Sequence, residues 1–241
     1  LAAGLDKNYR TSKSYLNLGF GFSVTGTILA KPRYGNPKPR LIRYIEDQSI
    51  VNALGFPSEG LDRIKKRFSD TNIEKERIVA SISGLNIKDI SECFKQLMPL
   101  VAGIELNLSS PNTKGLKEFH KIKNLEQLLK ILNREKQKPL LVKLPPFPEN
   151  NNKFFDMLKC VLDSGADGVV ISNSHPKKDS KLALGVGGMS GKPIFHHTLK
   201  MVHQTRNVVG DKFGIIGCGG ISDATDVWKL ISHGANAVQI Y

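Results

Sequence analysis

Leu140-Leu-Val-Lys143, Phe154-Phe-Asp-Met-Leu-Lys-Cys-Val-Leu162 and Gly168-Val-Val-Ile-Ser172 follow one another in this chain. The outer two are short apolar runs without polar alternation, the mark of strands buried on both faces. In the middle one, Phe154, Phe155, Leu158, Val161 and Leu162 recur at steps of three and four, one face of a helix. Strand, helix and strand in that order make a right-handed crossover and a parallel pair. Working outward, the same unit repeats. Further strands are expected at Leu1–Gly4, Phe22–Thr27, Ile78–Ile82, Gly103–Leu106, Gly214–Gly217 and Ala237–Tyr241. Helical stripes lie between them. Ile87, Ile90, Phe94 and Leu97 follow an Asn86 cap, and Leu125, Leu128, Leu129 and Leu132 follow Asn124, with Gln127 completing a capping box. Val227, Leu230 and Ile231 follow Ser222, and another helix is expected from near Pro193, a residue tolerated in a first turn.

Eight strands alternating with helices close most economically as a (β/α)8 TIM barrel, an α/β fold. A doubly wound open sheet is the alternative, but it more often carries an early Gly-x-Gly-x-x-Gly, which is missing here. The reading is one barrel domain over residues 1–241, with no second domain and no internal repeat. Without a starting Met, residues are expected before Leu1; without a helix after Tyr241, the barrel is expected to lack its last helix.

Composition narrows the class. With 40% hydrophobic and 24% charged residues in 241, the chain can bury a sizeable core and is not a disordered one. No apolar run reaches the roughly 18 residues that span a bilayer, and the start has neither the basic end nor the apolar stretch of a secretory signal. Three scattered cysteines without a Cys-x-x-Cys pair argue against a disulfide framework or a zinc site. The net charge of +13 admits nucleic acid, an anionic membrane surface or small anions as partners. The basic residues are scattered with few aromatics between them, which fits a generally basic surface better than a nucleic-acid site.

In a barrel the chemistry sits at the C-terminal ends of the strands. Just past those ends stand Asp6 and Lys7, Thr27, Asn107-Leu-Ser-Ser-Pro-Asn-Thr113, Lys143, Ser172-Asn-Ser174 and Gly217-Cys-Gly-Gly220. Amides, hydroxyls and two lysines converge there, with no paired carboxylates and no metal-ligand cluster. Such a set suits a planar, hydrogen-bonding, anionic ligand rather than hydrolysis. The turn Gly217-Cys-Gly-Gly-Ile-Ser222 offers bare amides and a helix N-terminus, a phosphate cradle of the kind barrels place after strands seven and eight. A tight turn that needs glycine only for positive φ is the simpler alternative. Gly187-Gly-Met-Ser-Gly-Lys-Pro193 is a second glycine-rich contributor.

Asn107-Leu-Ser-Ser-Pro-Asn-Thr-Lys-Gly115 is the most specific motif, and through it the chain resembles the dihydroorotate dehydrogenases, flavin enzymes of pyrimidine synthesis. Ala2-Ala-Gly-Leu-Asp-Lys7, Gly35-Asn-Pro-Lys-Pro-Arg40, Val51-Asn-Ala-Leu-Gly-Phe56, Gly187–Pro193 and Val238-Gln-Ile-Tyr241 stand in the family's order along nearly the whole chain. The resemblance implies FMN as cofactor, dihydroorotate and orotate as ligands, and no metal. It places Ser110 where the quinone-using class has its catalytic base; soluble classes carry Cys there. Serine is a poor base unaided, so Thr113 and a water would supply the proton route, and Phe56 would pack beside the base. Lys7, Asn52, Asn107, Asn112, Asn173 and Ser174 correspond to the substrate set. Ala3, Gly4, Thr27, Asn107, Lys143, Ser172, Ser190, Gly191, Cys218, Gly219, Gly220, Ile240 and Tyr241 correspond to the flavin set, with Lys143 favouring the reduced ring.

Some residues depart from the quinone-class pattern. Ser81 replaces an Asn, and His175 a Thr. The stretches Ser81-Ile-Ser-Gly84 and Lys143-Leu-Pro-Pro146 look like the soluble class. His120, His196, His197, His203 and His233 read as surface residues. The resemblance implies a quinone acceptor and a monomer peripheral to a bacterial or mitochondrial inner membrane, without nucleic acid. The alternatives are a cytoplasmic enzyme using fumarate or NAD, an RNA-binding flavin barrel resembling tRNA-dihydrouridine synthases, and an inactive fragment.

Overall fold

The computed structural model describes residues 1–70, 77–109, 115–149 and 151–241. In chain order α1 (Ser12–Asn17) leads to β1 (Ser23–Ile28), and a hairpin of β2 (Leu41–Tyr44) and β3 (Ser49–Asn52) precedes α2 (Leu61–Asp70). Strict alternation follows: β4 (Ile78–Ile82), α3 (Ile87–Leu97), β5 (Gly103–Asn107), α4 (Ile122–Glu135), β6 (Leu140–Lys143), α5 (Asn152–Asp163) and β7 (Gly168–Ile171). A second hairpin, β8 (His175–Lys178) and β9 (Val186–Gly191), precedes α6 (Phe195–Val209), β10 (Gly214–Cys218), α7 (Ala224–Ser232) and β11 (Ala237–Gln239).

Seven strands form one parallel sheet in the order β1-β4-β5-β6-β7-β10-β11. The eighth position belongs to Leu1–Gly4, which is not the regular strand its composition suggested: at Gly4 the backbone already turns, with φ +109°. Four residues still join the two sheet edges. Ala2 N–H donates to the Ile240 carbonyl (2.8 Å), Val24 N–H to that of Leu1 (3.0 Å) and Gly4 N–H to that of Gly26 (2.9 Å). The sheet is thereby closed as a TIM barrel.

Strand alternation sorts the side chains. Ile104 and Leu106 of β5 point outward, into a core completed by Ile90 and Phe94 of α3, Leu125 and Leu129 of α4, and Phe154 and Leu158 of α5. Each such buried side chain contributes about 1.5–3 kcal/mol of transfer free energy. Ala2, Val170, Ile216 and Cys218 point inward and plug the barrel, backed by Phe22, Leu141 and Ala237.

Asn86 caps α3 as expected, its Oδ1 accepting from Asp89 N–H (2.8 Å). The capping box at Asn124 does not form. The helix starts at Ile122, inside which Asn124 instead donates to the Glu118 carbonyl (3.0 Å). Asp223 rather than Ser222 caps α7, accepting from Asp226 N–H (2.9 Å). Helices α1 and α2 were not anticipated; α2 buries Leu61, Ile64 and Phe68 from within a charged run.

The larger addition is a four-stranded antiparallel sheet, β2-β3-β9-β8. It is built from two excursions, one between β1 and β4 and the other between β7 and β10, and is held by Val51, Ala53 and Leu182. Its β3–β9 register sets Ile50 opposite Ser190 and Asn52 opposite Gly188. Cys93, Cys160 and Cys218 are buried free thiols. Among the described residues no helix is long and apolar enough to cross a membrane, and no group of three or more potential ligands could hold a metal ion.

Candidate active site

A cavity of about 540 Å³ opens where the parallel strands end, between the barrel mouth and residues of β2, β3 and β9. It is lined by Ala3, Gly4, Lys7, Thr27, Asn52, Phe56, Asn107, Lys143, Ser172, Asn173, Ser174, Ser190, Gly191, Cys218, Gly219, Gly220, Ile240 and Tyr241. Those are all the expected site residues that the structure describes. Ser110, Asn112 and Thr113 lie outside the described residues.

Four polar residues of this lining, Thr27, Asn107, Asn173 and Ser174, belong to one connected chain. Thr27 Oγ1 lies 3.1 Å from Ser81 Oγ and accepts from Asn107 Nδ2 at 3.0 Å. Asn107 Oδ1 accepts from both the amide (3.2 Å) and the hydroxyl (2.8 Å) of Ser109. Asn173 Nδ2 donates to Ser109 Oγ (2.7 Å), and its own Oδ1 accepts from Ser174 N–H (2.7 Å). Four strand ends are thus cross-linked by side-chain amides and hydroxyls, whose orientations are fixed by buried partners rather than by solvent. Ser109 was not singled out from the sequence; its place in the Asn107–Thr113 motif was the available signal. Ser81, noted as a departure, is a member of the chain.

At the floor, Lys143 is 4% exposed, not the snorkelling residue that a strand-end lysine more often is. Its Nζ lies 3.5 Å from Cys218 Sγ and 4.0 Å from Glu105 Oε1. Burial works against its charge, but Cys218 and Glu105 outweigh it and hold the ammonium above its ordinary range. Gln239, also unforeseen, lines the same floor; its buried Oε1 has no partner among the described residues and can accept from a ligand.

Lys7 stands at the other side of the cavity, on a loop that Asp6 organises by accepting from Arg10 N–H, Thr11 N–H and Ser12 Oγ. Its ammonium donates to the Gly4 carbonyl. Burial, then the charge of Arg40, lower its pKa from the usual lysine value, with Asp6 opposing. A partly desolvated ammonium of this kind favours an anionic ligand.

The glycines are required sterically. Gly220 has φ +79°, and a Cβ there would lie 2.5 Å from the Phe195 amide nitrogen, at the start of α6. Gly191 has φ +100°, and its Cβ would meet the Gln48 carbonyl at 2.2 Å. Both line the cavity, so strained turns and close backbone approach coincide there. Phe56 holds φ +55°, which turns the β3–α2 connection into the cavity wall.

Two histidines correct the surface reading. His197 Nε2 lies 2.6 Å from the Phe147 carbonyl and its ring packs edge-on against His175, centroids 4.3 Å apart. His120 Nε2 lies 2.7 Å from the Leu108 carbonyl, next to the polar chain. Burial and then His197 push the His175 pKa down to about 4.

The sequence pattern of the dihydroorotate dehydrogenase family matches residues 1–241. The chain is 32% identical to the dihydroorotate dehydrogenase (quinone) of Mycolicibacterium smegmatis over 254 residues, covering 100% of this chain and 71% of the relative. It is 36% identical to the enzyme of the same name from Sulfurimonas denitrificans, over 100% and 70%. The ligand-free crystal structure of DHODH from Eimeria tenella superposes with a TM-score of 0.91 at 30% identity, covering 100% of this chain and 77% of that one. The fold, the strand-end motifs and these similarities agree, and the chain belongs to the dihydroorotate dehydrogenase family.

Proposed function

We propose that this protein oxidises dihydroorotate to orotate in pyrimidine biosynthesis, with FMN as cofactor and a quinone as electron acceptor. The observation that carries the reading is the chain Ser81–Thr27–Asn107–Ser109–Asn173–Ser174, which links the ends of β1, β4, β5 and β7 around the cavity that Lys143 of β6 also lines. The site fits FMN on three counts. Lys143 offers a buried cation, Gln239 Oε1 a buried acceptor, and Gly191, Gly219 and Gly220 line the cavity with positive-φ backbone that carries no side chain.

Lys143, Thr27, Ser172, Ala3, Gly4, Cys218, Ile240 and Tyr241 would hold the ring and ribityl chain, and Ser190, Gly191, Gly219 and Gly220 the phosphate. When bound, FMN supplies a hydride acceptor for C6 of the substrate. Lys7 neutralises the substrate carboxylate. Asn52, Asn107, Asn112, Asn173 and Ser174 match its urea-like N–H and C=O groups, because an amide side chain both donates and accepts. Ser110 Oγ takes the proton from C5, with Thr113 on its exit route, and Phe56 excludes water beside it. Holding the substrate between base and cofactor supplies proximity and orientation.

Leu5 and Ile45 expose apolar side chains at the rim of the cavity, where an apolar acceptor would enter. The +13 charge suits a peripheral position on an anionic leaflet, at about 1 kcal/mol per well-placed Lys or Arg. Anaerobic mixing with dihydroorotate tests the reading: the yellow protein bleaches, and a quinone restores its colour. A protein that purifies without flavin, or that dihydroorotate does not bleach, would overturn it.

A further inference from the structure

The deepest ionisable group in the barrel is not in the cavity wall. Glu105 lies on β5 two residues before Asn107 and points to the same, inner side. It is 0% exposed, and its carboxylate meets one cation and one amide. Oε1 faces Lys143 Nζ at 4.0 Å, and Oε2 accepts from Gln239 Nε2 at 2.9 Å. Oε1 makes no hydrogen bond among the described residues. Lys143 and Gln239 both border the cavity, and Glu105 sits one layer beneath them.

A buried ion pair is seldom the most stable way to fill such a space; apolar residues of similar volume generally do as well or better. Its use must therefore lie in what it does to its neighbours. At 4.0 Å in a low-dielectric interior, the carboxylate opposes much of the field that Lys143 sends into the cavity. The same attraction draws the ammonium toward the floor.

We propose that Glu105 is a positioning residue that anchors Lys143 and partly offsets its charge, so that the pair, rather than the lysine alone, sets how strongly the site favours an electron-rich flavin. This rests on the flavin reading above. Gln239 is the third member: its amide is oriented by donating to Glu105, which leaves Oε1 to face the ligand.

The experiment uses the full-length protein with bound FMN, as wild type, Glu105→Gln and Glu105→Asp. Gln keeps the shape and the hydrogen-bonding capacity toward Gln239, and Asp keeps the charge. Sulfite adds to an oxidised flavin by forming a sulfur–nitrogen bond at N5, and its electron pair leaves a negative charge on the ring. Sulfite affinity therefore reads the local field without turnover. Glu105→Gln is expected to bind sulfite about tenfold more tightly and to raise the two-electron midpoint potential by about 30 mV, the equivalent of tenfold. Glu105→Asp is expected to stay within about twofold of wild type on both measures. Unchanged sulfite affinity in Glu105→Gln would overturn the proposal, as would an Asp variant that behaves like the Gln one. A wild-type protein that purifies colourless overturns the flavin reading itself, a separate and visible failure.

Discussion

Asn107 and Asn173 share one hydroxyl: Ser109 Oγ donates to Asn107 Oδ1 at 2.8 Å and accepts from Asn173 Nδ2 at 2.7 Å. Asn107 ends β5 and Asn173 lies just past β7. Ser109, 1% exposed, joins two amides whose other ends are held by Thr27 Oγ1 and Ser174 N–H. Removing that hydroxyl strands the Asn173 donor and leaves Asn107 Oδ1 with only the Ser109 amide, at about 1–3 kcal/mol. Ser109→Ala is therefore expected to weaken orotate binding by about tenfold while FMN content stays at the wild-type level. Equilibrium titration of orotate against the flavin spectrum checks it; unchanged affinity would show that the amides are oriented by other groups.

Lys7 gives the site a pH dependence on the alkaline side. Its pKa is lowered by burial and by Arg40, and only the protonated form attracts an anionic ligand. As pH rises through that lowered value the charge is lost, so orotate affinity should fall at a lower pH than an ordinary lysine would give. Lys7→Met should bind orotate weakly at neutral pH and show no such alkaline loss. A wild-type affinity that stays flat up to the ordinary lysine range would contradict the assignment.

His175 acts on stability instead. Its folded-state pKa is about 4 against an unfolded value near 6.5, so the unfolded chain binds the extra proton first. Its contribution is intact above pH 6.5, declines as pH falls toward 4 and is gone below that. His175→Thr removes the titrating group, and its melting temperature should decline less steeply than that of wild type between pH 6.5 and 4. Parallel curves for the two proteins would place the acid sensitivity elsewhere.

Gly220 tests the cradle. With φ +79° and a Cβ 2.5 Å from the Phe195 amide nitrogen, Gly220→Ala must displace the start of α6. Backbone strain of this kind costs about 1–3 kcal/mol before the steric clash is counted. The variant is expected to melt at lower temperature and to lose FMN on gel filtration. Full flavin retention would remove Gly220 from the phosphate-binding set.

The barrel was readable because its strands are buried on both faces and appear as unbroken apolar runs, as in Gly168-Val-Val-Ile171. The covering sheet was not. Leu41-Ile-Arg-Tyr44 is short and half-exposed, His175-Pro-Lys-Lys178 carries a proline tolerated only because β8 is an edge strand, and the glycines of β9 read as a loop. The cavity residues were legible through their motifs, since strand-end amides and hydroxyls stand out against apolar neighbours. Glu105 and Gln239 were hidden for the opposite reason. Each sits on a strand whose alternation sends it into the barrel, and only the closed sheet reveals that they meet beside Lys143 at the cavity floor.

Ser110 carries the remaining prediction, because the class of enzyme depends on it. A side-chain base accelerates proton removal by about 10²–10⁴-fold, whereas the hydrogen bonds that hold FMN come from other residues in the proposed set. Ser110→Ala should therefore purify yellow, with unchanged orotate affinity, and its anaerobic bleaching by dihydroorotate should slow by about a hundredfold or more. Ser110→Cys places the soluble-class base in this site: a thiol ionises at much lower pH than a serine hydroxyl, so its bleaching should be less dependent on high pH than that of the serine enzyme. Acceptor choice should not follow the base, because the quinone and the substrate act in different half-reactions. Wild type, Ser110→Ala and Ser110→Cys are thus all expected to be reoxidised by quinone and not by fumarate, measured in single turnover after chemical reduction. Rapid bleaching of Ser110→Ala would refute the base assignment, and rapid reoxidation of wild type by fumarate with none by quinone would move the protein to the soluble class.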